Sequence, residues 1–308
     1  MNYNIMRAVI FSASQYLRQI SLTGIGFTAI VLATTLMPPI SPLLHAEGRS
    51  DAEQLNREGV DFFQSSNYYM AFRLFARAAE LQPANAEYHN NMGMCLLQMN
   101  RNVEAAQKFR EAIARNELAL YYFNLSLAYE GLGELEPTVA ALKKAIQLEP
   151  RHFEAHVRLG LLYMSQRDYT AAEPVLSKAA EMRDDPDVEY NLGVAYLQLN
   201  RSEKAVAHLM NATQLRPTFA AAHYNLGVAL QQLNRLPEAQ GSYTQCVQLN
   251  PGYTIAYFNL ALVESQQGQL EPAIRHMREF VRLAPPAMAR QEQDARAHIT
   301  RWEAELER

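Results

Sequence analysis

Five asparagines, Asn91, Asn124, Asn191, Asn225 and Asn259, stand one or two steps of 33 or 34 residues apart along the chain. The residues just before them are Asn90, Phe123, Tyr190, Tyr224 and Phe258. A carboxamide offers both a donor and an acceptor, so a ladder of them can satisfy the backbone of an extended chain without reading its sequence. Aromatic rings beside the amides are the side-chain type that anchors a bound partner. The competing use of the same amides is to bond neighbouring helices and hold nothing, because polar groups on packed helices usually pair locally.

Other chemistry is sparse. The sequence has no phosphate-cradling glycine motif, no nucleophile elbow and no paired catalytic carboxylates, so no catalytic residue, no enzymatic activity and no cofactor are expected. Gly131-Leu-Gly133 reads as a turn between helices. His152 and His156 flank Glu154, but the order is not that of a zinc-protease helix. His89, His156 and His223 recur two repeats apart, too far to share an ion, and no metal site is expected. Cys95 and Cys246 are too few for a disulfide framework and lie where helix faces are apolar, so both are expected to be packing residues. With 28 basic and 32 acidic residues the formal net charge is only -4, which argues against nucleic acid as a partner.

What positions the amides is a repeat of 34 residues, with two units one residue short. Units begin at Ala52, Ala86, Ala119, Phe153, Pro186, Ala220 and Thr254. Position 8 is always small (Gly59, Gly93, Ser126, Gly160, Gly193, Gly227, Ala261), as is position 20 (Ala71, Ala105, Thr138, Ala172, Ala205, Ala239, Ala273). Position 27 is Ala in five units, Cys246 in the sixth and Phe280 in the last. Position 24 is large (Phe75, Phe109, Leu142, Leu176, Leu209, Tyr243, Met277), which is expected to fill the layer between units. Apolar residues recur at helical spacing in two blocks per unit, so each unit reads as two antiparallel helices. Proline at position 32 in five units must stop the second helix, and Pro137, Pro237 and Pro272 open it where a missing donor costs nothing. Pro174 falls deeper in its block, where a kink is expected if anywhere.

The period, with Tyr-Asn-Leu-Gly at 190–193 and 224–227 and Pro-Glu-Ala at 237–239, resembles the tetratricopeptide repeat. Position 4 departs from that pattern, holding Leu55, His89, Tyr122, His156, Glu189, His223 and Tyr257 in place of the usual Trp. The resemblance implies an all-α, right-handed α-solenoid of seven helix-turn-helix repeats over residues 51–287, followed by a capping helix over 288–308. It also implies that the first helix of each unit lines a concave groove through positions 2, 5, 6, 9, 12 and 13. On that register Asn91, Asn124, Asn191, Asn225, Asn259, Phe123, Tyr190, Tyr224 and Phe258 become candidate peptide-binding residues. A protein or peptide ligand is the expected partner. Lysines are missing from positions 2 and 5, which excludes the acidic-tail clamp of some relatives, and Glu53, Glu87, Glu154 and Asp187 at position 2 suit a basic or neutral ligand. Met92, Met94 and Met99 read as core. A self-associating spacer or a regulatory subunit of an enzyme complex are the alternatives.

The two ends differ from the repeats. Ala295, Ile299, Trp302 and Leu306 share one helical face, as a cap over the last repeat requires. Arg7 and Arg18 are the only charged residues before Glu47, and the uncharged stretch between Arg18 and Glu47 is long enough to span a bilayer. Pro38-Pro39 should end its helix, and Ala46 could precede a cleavage site, so residues 1–50 read as a cleaved signal peptide or an uncleaved membrane anchor. Either one exports the rest, because the arginines precede the apolar run: the repeats are expected in the periplasm or tethered outside the inner membrane. The membrane enters only through that segment, and homo-oligomers remain open.

Overall fold

A computed structural model describes residues 49–308, so the targeting segment expected over residues 1–50 lies almost wholly outside the described residues. The described residues contain fifteen α-helices and no strand, and they divide into two compact units, residues 49–159 and 160–308. In the first unit α1 (Arg49–Gln64) pairs with α2 (Tyr68–Leu81), α3 (Ala86–Gln98) with α4 (Asn102–Arg115), and α5 (Ala119–Leu132) with α6 (Leu135–Leu148). The division falls within α7 (Phe153–Ser165). The second unit continues with α8 (Tyr169–Met182), then the pairs α9 (Pro186–Gln198) with α10 (Ser202–Leu215), α11 (Ala220–Gln232) with α12 (Leu236–Leu249), and α13 (Thr254–Gln266) with α14 (Leu270–Leu283). A 3-10 turn, Pro286–Met288, leads into α15 (Ala289–Leu306), which packs on α14.

The chain reverses at one repeated device that the sequence reading did not single out. Position 15 of every unit is left-handed: Ser66, Asn100, Arg167, Asn200 and Asn234 have φ between 56° and 62°, and Gly133 and Gly268 have 73° and 76°. Around Asn200 the closure is typical, with its N–H donating to the Leu197 carbonyl at 3.1 Å and the Arg201 N–H donating to the Tyr196 carbonyl at 2.9 Å. Two orphan carbonyls at the helix end are thereby satisfied. Asn and Gly tolerate this backbone, whereas Ser66 and Arg167 hold it at a cost of about 1–2 kcal/mol each.

Second helices end at position 30 whether or not proline follows at position 32. In the short second unit the Arg115 guanidinium substitutes for it, donating to the Glu111 carbonyl at 2.6 Å and reaching the Pro83 carbonyl at 2.6 Å. In the short fourth unit Asp185 caps α9, accepting from the Asp187 and Val188 amides at 3.0 and 3.1 Å. Pro174 interrupts nothing: α8 runs through it from Tyr169 to Met182.

The large residue at position 24 packs in the layer between repeats, Phe75 with Met92 and Cys95 and Phe109 with Leu125 and Ala128, and it has a second contact as well. It reaches back across its own helix pair and covers the small residue at position 8. A Cβ built on Gly59 would lie 2.6 Å from the Phe75 ring, on Gly93 2.6 Å from Phe109, on Gly160 2.5 Å from Leu176, on Gly193 2.6 Å from Leu209 and on Gly227 2.6 Å from Tyr243. Position 24 thus also seals the pair internally, and the alanines at positions 20 and 27, all fully buried, let the helices approach around it. In the last unit Phe280 replaces that alanine and packs in one cluster with Ala295 and Trp302 of α15, so the enlarged residue meets the closing helix. Trp302 is 2% exposed.

These contacts set a contrast. Gly227→Ala should lower the melting temperature, because overpacking against the Tyr243 ring costs about 1–3 kcal/mol and outweighs a helix-propensity gain of about 1 kcal/mol. Gly241→Ala in α12, where nothing lies within 4 Å of the new Cβ, should raise it. Thermal denaturation followed by circular dichroism measures both; equal shifts would refute the packing account.

Candidate functional site

The asparagine column is largely a seam between repeats. Asn91 Nδ2 donates to Asn56 Oδ1 at 3.0 Å, Asn124 Nδ2 to Asn90 Oδ1 at 2.7 Å, Asn225 Nδ2 to the Tyr190 hydroxyl at 3.1 Å and Asn259 Nδ2 to the Tyr224 hydroxyl at 3.2 Å. In each case position 6 bonds position 5 of the preceding unit. Asn191 is the exception, because the residue at position 5 one unit earlier is Val157, which has no acceptor; its amide turns to the Asp187 carbonyl of its own helix at 2.6 Å. Arg158 likewise follows an apolar position 5. Its guanidinium lies 5.8 Å from the Phe123 ring centre and pairs with Glu130 at 2.6 Å.

Burial separates the candidate residues further. Tyr190 is 1% exposed and Asn225 1%, so neither is an open anchor; both belong to the core. Asn124 and Asn191 are also buried, while Asn91, Phe123, Phe258 and Asn259 are half-buried. Burial pushes the Tyr224 phenol above its usual range, which keeps it protonated as the partner of Asn259.

The remaining titratable candidates have structural partners. His156 Nε2 lies 3.0 Å from the Pro150 carbonyl and His223 Nε2 3.0 Å from that of Pro217, so position 4 ties each unit to the proline turn before it. His89 Nδ1 is 3.0 Å from Glu111, and burial, with Arg115 nearby, holds its pKa below the ordinary histidine value. His152 packs on Phe123 with ring centres 4.9 Å apart and does not converge with His156 on a common point. No group of three or more His, Cys, Asp or Glu placed to hold a metal occurs among the described residues. Cys95 and Cys246 are buried free thiols that burial pushes up to about 12, far from reactive thiolates. Met92, Met94 and Met99 pack in the core clusters of the first unit.

The concave surface that is open lies near the end of the second unit. A cavity of about 410 Å³ is lined by Ile255 at position 2, Tyr224 and Phe258 at position 5, Asn259 at position 6, Val228 and Leu262 at position 9, Gln231 at position 12 and Gln232 at position 13. All six inward positions expected from the repeat register are therefore represented. Helix α15 supplies the opposite wall through Gln291 and Asp294. A second cavity of about 310 Å³ shares Phe258 and Asp294 and continues along α15 past Ala297, His298 and Arg301. Sequence reasoning found Tyr224, Phe258 and Asn259 but missed the glutamines and every α15 residue, since a closing helix carries no repeat register.

Helix pairs of 33 or 34 residues, each reversed at a left-handed residue and sealed by small side chains, define an α-helical repeat protein. Family models described as tetratricopeptide repeat match residues 56–119, 119–152, 163–210, 220–253 and 255–286, with a further TPR repeat match over 193–234. The chain is a tetratricopeptide-repeat protein. It is similar to the Protein O-mannosyl-transferase TMTC3 of Homo sapiens, 25% identical over 187 residues that cover 55% of this chain and 20% of that protein. It is also similar to the BBSome complex member BBS4 of Bos taurus, 26% identical over 163 residues that cover 52% of this chain and 31% of that protein. The chain thus spans a fifth to a third of these two relatives' lengths. Among solved structures it shares its fold with YrrB, described as a TPR protein with an unusual peptide-binding site (TM-score 0.55, 24% identity, 59% of this chain and 95% of that one). It shares it also with the C-terminal part of a TPR repeat-containing protein from Cytophaga hutchinsonii (TM-score 0.63, 14% identity, 79% of this chain and 98% of that one).

The seam has a stability signature. Asn225→Ala removes bonds to both the Tyr190 hydroxyl and the Ala221 carbonyl inside the core and should destabilise the protein by about 1–3 kcal/mol. Asn191→Ala, which removes one bond within its own helix, should cost less. Urea denaturation compares them, and equal losses would contradict a seam between repeats.

Proposed function

We propose that the chain is a non-catalytic scaffold that holds a protein or peptide segment on the inner face of its repeats, with the cavity beside Phe258 as the principal seat. The observation that carries this is the cavity itself: six register positions of the last two repeats and one wall of α15 converge on an open space of about 410 Å³. Its lining mixes Ile255, Phe258 and Leu262 with four carboxamides. Such a surface bonds a peptide backbone while giving its apolar side chains a place to bury. The description of YrrB as peptide-binding, and of BBS4 as a complex member, supports the same reading.

The asparagine seam is the wrong place to test it, because those substitutions act on stability. Peptides selected by display on the purified chain should lose at least tenfold in affinity on Phe258→Ala and on Gln232→Ala, yet keep it on Gly241→Ala. Fluorescence polarisation reads this directly. Selected peptides indifferent to both cavity substitutions would remove the proposal.

The proposal also includes export, with residues 51–308 in the periplasm or tethered to the outer side of the inner membrane by the uncharged stretch between Arg18 and Glu47. That stretch lies outside the described residues. The protein isolated from its host should begin near Glu47, or begin at Met1 and fractionate with membranes. A chain beginning at Met1 in the soluble cytoplasmic fraction would end this part of the account.

A further inference from the structure

The two cavities along α15 differ in charge, and their order has a consequence for the ligand. Asp294 is exposed and lines both, and its charge acts on His298 four residues further along the same helix. Arg301 lines the second, where its Nη2 lies 3.3 Å from His298 Nδ1. That contact uses His298 as a neutral acceptor. Burial, and next the Arg301 charge, hold the His298 pKa below the ordinary histidine value, so the pair carries a single positive charge near neutral pH. The groove therefore runs from a carboxylate to a guanidinium along one helix, with His298 between them.

Arg301 stands seven positions after Asp294, which brings them to the same helix face within about 20° and roughly 10 Å apart along the axis. An extended chain covers that distance in about three residues. Phe258, shared by both cavities, lies against His298, which falls between the two charges along the helix, with ring centres 6.4 Å apart.

The amides beside Asp294 are already oriented. The Tyr243 hydroxyl donates to Gln231 Oε1 at 2.8 Å and the Ser202 hydroxyl to Gln232 Oε1 at 2.6 Å, which leaves both Nε2 groups as the free donors. Asn259 spends Nδ2 on Tyr224, which leaves Oδ1 as a free acceptor. Donors for carbonyls and an acceptor for an N–H fit an extended backbone, whose polar groups are unpaired; a helical ligand has already satisfied most of its own.

We propose that this groove selects an extended, dipolar segment of a partner protein, with a basic side chain on Asp294, an acidic group three residues away on Arg301 and an apolar side chain between them against Phe258. The inference rests on the scaffold reading of the cavity and narrows it to a ligand class. Charge complementarity acts here at a partly exposed site, so it sets specificity and weakens with salt.

The full chain can be titrated with labelled peptides in Gly/Ser flanks by fluorescence polarisation. Lys-Leu-Ala-Glu should bind at least tenfold more tightly than Lys-Leu-Ala-Lys or Glu-Leu-Ala-Glu, and than a helix-forming peptide with its Lys and Glu seven residues apart. Asp294→Asn and Arg301→Gln should each remove that advantage without changing the melting temperature. Equal affinity for the single-sign peptides, or preference for the helical one, overturns the dipolar inference. If charge pattern proves irrelevant while Phe258→Ala still weakens every peptide tenfold, the inference fails and the scaffold reading stands. If no peptide in the set binds and display-selected peptides ignore Phe258→Ala, both fail.

Discussion

In five of the seven helix pairs a bulky side chain from the second helix lies directly over a glycine of the first. Phe75 over Gly59, Leu209 over Gly193 and Tyr243 over Gly227 leave less than the room a methyl group needs. This contact fixes the separation of the two helices in a pair, and with it the direction in which every other face of the first helix looks. In the tetratricopeptide repeat, positions 2, 5, 6, 9, 12 and 13 of the first helix are the ones that look to the inner side. The cavity beside Phe258 is lined by those positions and no others from the repeats.

The close approach is kept by polar seams that run from repeat to repeat. Position 6 amides bond position 5 oxygens of the unit before, as Asn124 does Asn90 and Asn259 does Tyr224. Two of the three position 4 histidines bond the carbonyl of the proline turn before, His156 that of Pro150 and His223 that of Pro217. Such bonds satisfy groups that burial would otherwise leave unpaired, and they fix register where apolar contact alone would let units slide. The proposed binding surface accordingly lies away from most of the asparagines, on the free ends of Gln231, Gln232 and Asn259 and the carboxylate of Asp294.

Helix α15 serves two ends at once. Trp302 and Ala295 cover Phe280, which no further repeat would bury, and the same helix presents Gln291, Asp294 and Arg301 to the groove. A stack of repeats has to be closed by something amphipathic, and here the polar side of the closing helix becomes one wall of the cavity.

The repeat period and the pairing of helices were legible in the sequence because they depend on residue size at fixed spacing, and the inward register came with the family resemblance they revealed. Small residues recur at positions 8, 20 and 27 wherever backbones must approach, and that pattern survives without coordinates. The left-handed turn at position 15 was written there too, as Asn or Gly in five of seven units, though Ser66 and Arg167 disguised it. The sequence could not say what each amide bonds. An asparagine reads the same whether its Nδ2 meets a ligand or the Tyr190 hydroxyl, and the difference lies in which residue of the preceding repeat is brought within about 3 Å. Nor could it place Asp294 opposite Gln231, since the closing helix has no repeat to index it. Spacing within a unit follows from local geometry, whereas partnership between units is decided only when the chain is packed.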